Sequence, residues 1–298
     1  MAGQDRYDVL IIGGGTGGYS CALRAAQLGM SVGLIEEHLL GGTCLHLGCI
    51  PTKALLQTAE IAEHAKAADG FGVKASFEGI EVAAVHAHKN AVVDSMTRGL
   101  QATLRGRGVE VIRGHGRLVE SRTVQVEGED GGSYRGEAIV IATGSVPREI
   151  PPAPFDGASI IHSDHALSLD FVPERAVIIG AGAVGMEFAS IWHAFGSEVV
   201  VVEMEERLLP LEDPDISREI ERQFRRRGIR TMTGATLTTA AAAAEGVAAT
   251  IETKDGQETV GASVLLVAVG RRPRTENVGC EEVGVEREKG FIKVDEYC

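Results

Sequence analysis

The chain has 298 residues, of which 44% are hydrophobic and 24% are charged, and its formal net charge is −13. This balance is typical of a folded globular protein long enough for two ordinary domains, and it excludes a disordered chain. A nucleic-acid-binding protein is also disfavoured, because the densest basic run, residues 225–227, ends a helical pattern and forms no basic face.

The N-terminal sequence does not resemble a signal peptide, because its apolar run is short and a Gly-rich turn follows it. No apolar stretch reaches the length of a membrane span. Five cysteines in a chain of this length do not indicate a secreted disulfide framework. We therefore expect a cytoplasmic protein without membrane contact, in which a special cysteine pair is catalytic rather than structural.

The first nucleotide-binding pattern begins at Tyr7–Ile12, a short apolar run that predicts a buried parallel strand. A glycine fingerprint, a helix, a second strand and an acidic residue follow: Gly13, Gly15, Gly18, residues 19–29, residues 31–35 and Glu36. In such a unit the glycines make the turn, admit a pyrophosphate and let the helix pack close to the strand. The helix start then binds phosphate, and the acid binds ribose hydroxyls.

A second copy of the pattern begins at the strand Arg175–Ile179. It continues through the same features: Gly180, Gly182, Gly185, a helix over 186–196, a strand over 198–202 and Glu203. One fingerprint alone is weak evidence, but two complete copies predict two dinucleotide sites, one for a flavin and one for a nicotinamide cofactor. NAD is favoured over NADP, because the nearest arginine to Glu203 is Arg207, which is poorly placed for a 2′-phosphate.

Two cysteines, Cys44 and Cys49, precede a helix predicted over 54–68, and Pro51 suits its first turn. A thiol at a helix start has a lowered pKa, which suits dithiol–disulfide exchange. Two buried small residues or half of a metal site are the alternatives. A zinc site would need two more ligands, and the other cysteines show no paired spacing, so no metal is predicted. Cys21 is interpreted as a core residue, and Cys280 and Cys298 are interpreted as incidental.

The segment GGTCLHLGCIPTKALL, from Gly41, resembles the redox-disulfide motif of the pyridine nucleotide–disulfide oxidoreductases, and most closely that of the dihydrolipoyl dehydrogenases. GAGAVGMEFASIW from Gly180, ATGSVPREIP from Ala142 and VLLVAVGRRPRTENVG from Val264 also fit. The resemblance implies an α/β fold with two Rossmann-like dinucleotide-binding domains, each three-layered with a small antiparallel β-meander. It implies an FAD-binding domain over 1–147, an NAD-binding domain over 148–272, and the start of a central domain over 273–298.

The resemblance also implies roles for individual residues. FAD would use the first fingerprint and Glu36, together with Thr43, Ala142, Thr143 and Gly144; NAD would use the second fingerprint and Glu203, and Gly270 and Arg272 would add cofactor contacts. Cys49 would be the sulfur nearest the flavin, and Cys44 the interchange sulfur that reacts with substrate. Lys53 would lie near flavin N5 and pair with Glu187, which would keep the buried lysine charged.

The implied reaction oxidises dihydrolipoamide to lipoamide with NAD as electron acceptor. The implied partner is the lipoyl domain of a 2-oxoacid dehydrogenase complex, and the full-length members of the family form homodimers. Two alternatives stay open: another flavoprotein disulfide reductase, similar to mercuric or glutathione reductase, and a non-catalytic FAD- and NAD-binding fragment. Family members continue with a Gly-Asp flavin segment and an interface domain that carries a His–Glu pair, so we expect this chain to correspond to their N-terminal portion.

Between the fingerprints, a partial apolar stripe predicts a helix over 81–107, and alternating patterns predict a strand trio over 109–137 and a similar one over 231–260. The Pro-rich residues 147–154 predict a linker. His162 and His165, near Asp164, are interpreted as surface-loop histidines and not as a replacement for the missing acid–base pair.

Overall fold

The computed structural model describes residues 5–244 and 246–298, and contacts between Cα atoms divide the chain into two compact units. Unit 1 contains the described part of residues 1–50, with 92–146 and 272–298; unit 2 contains 51–91 and 147–271. The domain boundaries at 147 and 272 concern ligand binding and stay predictions. The signal-peptide interpretation extends to residues 1–4, which lie outside the described residues.

The elements of the first half of the chain are a strand, a helix and a strand, which are followed by three helices and then five strands. In chain order they are β1 Arg6–Ile12, α1 Thr16–Gln27, β2 Val32–Glu36, α2 Gly42–His46, α3 Cys49–Ala67, α4 Val82–Gly106, β3 Glu110–Arg113, β4 His115–Glu120, β5 Thr123–Glu127, β6 Gly132–Ile141 and β7 Ser145–Pro147. A 3₁₀ turn over Ala68–Phe71 ends α3.

The second half has alternating strands and helices over residues 160–232, followed by further strands and one 3₁₀ turn. Its elements are β8 Ile160–Ile161, α5 Ser163–Ala166, β9 Arg175–Ile179, α6 Ala183–Phe195, β10 Glu198–Val202, α7 Pro214–Arg227, β11 Arg230–Met232, β12 Thr236–Ala243, β13 Gly246–Thr253, β14 Gly256–Ala262, β15 Val264–Val267, β16 Arg271–Pro273, β17 Arg287–Glu288 and β18 Phe291–Ile292. None of the helices within the described residues combines the length and hydrophobicity of a bilayer-spanning segment.

In unit 1 the sheet has the strand order β3-β2-β1-β6-β5-β4, with β3, β2, β1 and β6 parallel. The side chains of alternate residues of β1 point to opposite faces of the sheet. Ile11 packs in one hydrophobic cluster with residues of α1, whereas Leu10 and Ile12 pack in another with Val124 and Val126 of β5. Helix, parallel strands and antiparallel strands therefore form successive layers.

Unit 2 repeats this construction. Its parallel sheet has the order β11-β10-β9-β15-β8, and a separate antiparallel sheet has the order β12-β13-β14. Ile178 of β9 packs on the side of α6, with Phe188 and Trp192, whereas Val177 packs with Val247 and other residues of the antiparallel sheet. The α/β class with two Rossmann-like units is therefore confirmed.

Three local expectations differ from the structure. The region 109–137 contains more than a strand trio, because β3 leaves the meander and pairs in parallel with β2. In unit 1 the meander also continues the parallel sheet, since β6 belongs to both. His162 and His165 do not lie in a loop: His165 lies within the short helix α5, and His162 is the N-cap of that helix, where its ring accepts a hydrogen bond from the backbone N–H of Asp164.

Candidate functional site

The first glycine fingerprint is a tight backbone cradle in unit 1. Gly13 has a φ of +105°, and a Cβ atom there would lie 2.4 Å from the carbonyl oxygen of Ala142. A Cβ atom on Gly18 would lie 1.8 Å from the carbonyl oxygen of Gly13. Any larger residue at either position would therefore displace the backbone that surrounds the start of α1.

The predicted acid of the first copy is held beside this cradle. One carboxylate oxygen of Glu36 accepts a hydrogen bond from the backbone N–H of Gly14 at 2.7 Å, and the other accepts one from the backbone N–H of His38 at 2.7 Å. Helix α1 follows Gly15, which has no side chain with which to cap the helix. The strand end and helix start thus place a carboxylate next to backbone N–H groups, as a dinucleotide site requires.

The second fingerprint is built in the same way within unit 2. Gly180 has a φ of +101°, and a Cβ atom there would lie 2.6 Å from the carbonyl oxygen of Ala268. A Cβ on Gly185 would lie 2.0 Å from the oxygen of Gly180, and Gly182 precedes α6 as its N-cap. Glu203 is 6% exposed and accepts hydrogen bonds from the backbone of Ala181 at 2.7 Å and of Glu205 at 2.9 Å. The sequence repeat is therefore also a repeat of backbone geometry.

A cavity of about 300 Å³ opens beside the first fingerprint. Seven residues predicted to bind FAD line it: Gly13, Gly15, Glu36, Thr43, Ala142, Thr143 and Gly144. Gly18 instead packs against the backbone beneath the turn. Six charged or imidazole side chains that sequence reasoning did not assign to the FAD site also belong to the lining: Glu37, His38, His46, His115, Arg274 and Glu276.

Gly42 is a further residue that the fingerprint reasoning missed. It has a φ of +56°, and a Cβ atom there would lie 2.6 Å from the Cα atom of Gly15. The neighbouring Gly41 forms a β-bridge with Gly15 and donates its N–H to the oxygen of Gly14 at 2.8 Å. The Gly-Gly pair before Thr43 was the available signal, and it packs the cysteine segment directly onto the fingerprint.

The two cysteines of this segment are adjacent thiols. Cys44 lies within α2 and is half-buried, and Cys49 is the exposed first residue of α3. Burial raises the pKa of Cys44, and a hydrogen bond and the charge of Cys49 raise it further, whereas a hydrogen bond with Thr16 lowers it. The lowered pKa expected for a helix-start thiol is therefore wrong for Cys44, because burial and the Cys49 side chain outweigh the hydrogen bonds that lower the pKa.

The predicted pair of Lys53 and Glu187 is present within unit 2. Lys53 Nζ lies 2.6 Å from Glu187 Oε1, which joins α3 to α6. The burial expected for Lys53 is not found, since its side chain is 60% exposed, compared with 25% for Glu187. The carboxylate thus fixes the position of the ammonium group, and the catalytic roles of both residues stay predictions.

The last two predicted cofactor residues are less enclosed. Gly270 has a φ of +107° and accepts a hydrogen bond from the backbone of Arg148. Arg272 forms an exposed ion pair with Glu276 at 2.9 Å. Their cofactor contacts stay predictions. Within the part of the chain that the structure describes, no group of three or more His, Cys, Asp or Glu residues is arranged to hold a metal.

Known proteins with similar sequences include dihydrolipoyl dehydrogenases from several organisms. Dihydrolipoyl dehydrogenase of Bacillus subtilis is 40% identical and aligns with 98% of this chain, and that of Thermus scotoductus is 40% identical and aligns with 97%. The chain spans only 64% and 62% of the lengths of these relatives.

Solved structures agree in fold. LpdA of Mycobacterium tuberculosis superposes with a TM-score of 0.86 at 29% identity, over 96% of this chain and 62% of that one. The HOCl-induced flavoprotein disulfide reductase RclA of Escherichia coli gives 0.79 at 29% identity, over 97% and 62%. The family described as pyridine nucleotide-disulphide oxidoreductase matches residues 7–298. The chain therefore belongs to the pyridine nucleotide-disulphide oxidoreductase family.

Proposed function

We propose that this chain carries the FAD, NAD and redox-disulfide sites of a dihydrolipoyl dehydrogenase, which oxidises dihydrolipoamide to lipoamide and reduces NAD. The observation that supports this most directly is the packing of the Cys44–Cys49 segment onto the first glycine fingerprint, through Gly41 and Gly42. A thiol pair and a dinucleotide cradle in one compact unit suit electron transfer from sulfur to a flavin.

The residues of unit 1 fit FAD. Two glycines of the cavity lining, Gly13 and Gly42, lie where a side chain would collide with neighbouring backbone. Such glycines let an extended ligand approach the main chain closely. The N–H groups at the start of α1 would bind the pyrophosphate, and Glu36 would accept hydrogen bonds from the ribose. When bound, FAD would take up two electrons from the dithiol and release them as a hydride to NAD.

The sulfur chemistry is a dithiol–disulfide exchange. A substrate thiolate attacks Sγ of Cys44 in the oxidised pair, and Cys49 leaves as a thiolate. The second substrate thiolate then attacks the substrate sulfur bonded to Cys44, which leaves in turn. The substrate becomes a disulfide and loses two electrons, which reduce the cysteine pair, and its two thiol protons are released.

The binding site for NAD would lie at the second fingerprint. Glu203 is fixed by two backbone N–H groups and presents a carboxylate where an NADP phosphate would be repelled. Arg207, the nearest arginine in sequence, donates instead to the carbonyl groups of Pro210 and Glu212. These contacts support NAD as the cofactor.

Lys53 would supply a positive charge for hydride transfer. It lies four positions after Cys49 on α3, one helical turn further along. Glu187 on α6 pairs with the ammonium group at 2.6 Å and so favours one position of the lysine side chain. A charge fixed before the reaction stabilises developing negative charge better than one that must first be ordered.

The proposed partners are a lipoyl domain of a 2-oxoacid dehydrogenase complex and, as in the full-length family, a second copy in a homodimer. Both follow from the likeness to dihydrolipoyl dehydrogenases that are longer than this chain. A cytoplasmic location is proposed from the cysteine usage.

The visible spectrum of the purified chain during an anaerobic NADH titration tests this function. We expect a bound-flavin spectrum that bleaches and gains a long-wavelength band from the thiolate of Cys49. Cys49→Ser is the matched variant, because it should keep the flavin but lose the band. NADH formation from dihydrolipoamide and NAD then tests the substrate.

Two results would contradict the proposal in different ways. A colourless chain to which added FAD does not bind would exclude the flavin site. A chain that binds FAD and NADH but never oxidises dihydrolipoamide would instead favour a non-catalytic dinucleotide-binding fragment.

A further inference from the structure

A cluster of charged side chains lies in the lining of the unit 1 cavity, outside the glycine fingerprint. Arg274 Nη2 donates to Glu37 Oε2 at 3.0 Å and to His38 Nε2 at 3.2 Å. His115 Nδ1 lies 3.3 Å from the same oxygen of Glu37. We name Glu37, His38, His115 and Arg274 the Glu37 cluster. All four line the cavity, although they come from three separate segments of the sequence.

The position of the cluster identifies the part of the cavity that it serves. Glu37 and His38 directly follow Glu36, the carboxylate at the end of β2. In a dinucleotide site this carboxylate meets the ribose of the adenosine, while the pyrophosphate lies at the helix start. The Glu37 cluster therefore adjoins the adenosine end of the cavity, beyond the ribose contact.

Arg274 is held in this position from two directions. Its backbone N–H donates to the carbonyl oxygen of Gly144, next to the turn that meets Gly13. Its side chain is held by Glu37. Asn277, three residues further along the chain, has a φ of +61°, and its backbone carbonyl oxygen accepts a hydrogen bond from His115 Nε2 at 3.2 Å. The wall formed by residues 274–278 is thus fixed to the same cradle as the fingerprint.

In this arrangement the guanidinium group of Arg274 can still donate hydrogen bonds to a ligand. Among the described residues, both of its side-chain contacts use Nη2, and the side chain is 43% exposed. An arginine has further donors on Nε and Nη1 and a flat face that stacks on aromatic rings. The ring nitrogens and face of an adenine match this set of groups.

We infer that Arg274 is a further cofactor-binding residue, which recognises the adenosine end of FAD and is oriented for that contact by Glu37 and His38. This inference rests on the proposed FAD site and adds a residue to it. Two observations carry it: the guanidinium lines the cavity, and its carboxylate partner follows the ribose-binding Glu36 in the chain.

The alternative is a purely structural ion pair that fixes residues 272–298 to unit 1. Exposed pairs of this kind contribute little to stability, because solvent screens them. A structural pair and a ligand contact differ in one measurable respect. Only the ligand contact changes the affinity for FAD and for its ADP half by the same factor.

The test is to titrate Arg274→Ala with FAD, followed by flavin fluorescence, and with ADP, followed by calorimetry. We expect both dissociation constants to rise about ten-fold, the scale of one desolvated contact to a charged group. Arg117→Ala is the matched control, because Arg117 forms an exposed ion pair with Glu282 in the same unit and outside the cavity lining. It removes the same charge and should leave both constants unchanged.

Thermal unfolding without ligand shows whether the variants are folded. If Arg274→Ala is not folded, Arg274→Gln replaces it, because glutamine keeps most of the side-chain length. Unchanged constants in a folded variant, or a loss for FAD without a loss for ADP, would overturn the inference and leave the FAD proposal intact. A wild-type chain that binds neither ligand would overturn both.

Discussion

Thr16 and Cys49 act on the thiol of Cys44 in opposite directions. The hydrogen bond with Thr16 lowers the pKa of Cys44, whereas burial and the contacts of the Cys49 side chain raise it. The thiolate is the reactive form, so the balance of these contacts sets how much of Cys44 can react at neutral pH. Thr16 lies within the first fingerprint, at one of its variable positions, and so links the nucleotide cradle to the sulfur chemistry.

Two substitutions should shift the titration of Cys44 in opposite directions. Thr16→Val removes a contact that lowers the pKa, so we expect alkylation of Cys44 in the reduced protein to begin at higher pH. Cys49→Ala removes a contact that raises the pKa, so alkylation should begin at lower pH. The measurement is the pH dependence of iodoacetamide labelling, with the site located by mass spectrometry. A downward shift in Thr16→Val, or no shift in either variant, would contradict this account.

At the scale of elements, contiguous apolar runs were the most reliable signal. The strands predicted over 175–179 and 198–202 have the bounds seen in the structure, because both are buried runs between clear turns. The helices after the fingerprints begin three residues earlier than predicted, at Thr16 and Ala183. A glycine in the first helical turn looks like a turn residue in sequence, but here it is required for close packing.

Other features could not be predicted, since they depend on contacts between distant residues. The parallel pairing of β3 with β2 leaves no local signature, because a short strand of four residues reads alike in either orientation. The Glu37 cluster joins residues from the end of β2, from β4 and from the segment after β16. Its members are charged or imidazole side chains, which look like ordinary surface residues until the fold brings them to one cavity.

Two neighbouring glycines in α1 should respond oppositely to alanine. A Cβ on Gly18 would meet the oxygen of Gly13 at 1.8 Å, whereas one on Gly17 would have its nearest contact at 3.9 Å. We expect Gly18→Ala to lower the apparent free energy of unfolding by about 3 kcal/mol. Gly17→Ala should raise it by about 0.5–1 kcal/mol through helix propensity.

Urea titrations followed by circular dichroism measure both glycine variants. Gly185→Ala provides an independent copy of the experiment, because its Cβ would lie 2.0 Å from the oxygen of Gly180. Equal stability of the Gly17 and Gly18 variants would mean that the third glycine of the fingerprint is not needed for packing.

The whole molecule consists of one construction used twice, with different surroundings. Glu36 accepts from the backbone of Gly14, and Glu203 accepts from the equivalent Ala181, each at 2.7 Å. The copies differ in the residues that come after the carboxylate. Glu36 is succeeded by the Glu37 cluster in the cavity lining, whereas Glu203 is succeeded by a loop in which Arg207 binds backbone carbonyl groups. This divergence is what two different dinucleotides would require.

A crossed pair of substitutions tests whether the two copies serve two ligands. Glu36→Gln and Glu203→Gln each remove one charge at the same point of the repeat, so each is the control for the other. Because a carboxylate binds ribose hydroxyls more strongly than an amide does, we expect Glu36→Gln to weaken FAD about ten-fold with NADH unchanged. Glu203→Gln should weaken NADH similarly with FAD unchanged.

Flavin fluorescence gives the FAD constant, and calorimetry gives the NADH constant in each variant. Both carboxylates also brace a backbone turn, so circular dichroism must first show that the variants are folded. If either substitution weakened both ligands equally, the carboxylates would act only through the fold. If each weakened the other copy's ligand, the assignment of FAD to the first fingerprint and NAD to the second would be reversed, although both would still bind. Only a selective loss in each variant agrees with a duplicated unit whose copies have diverged toward separate cofactors.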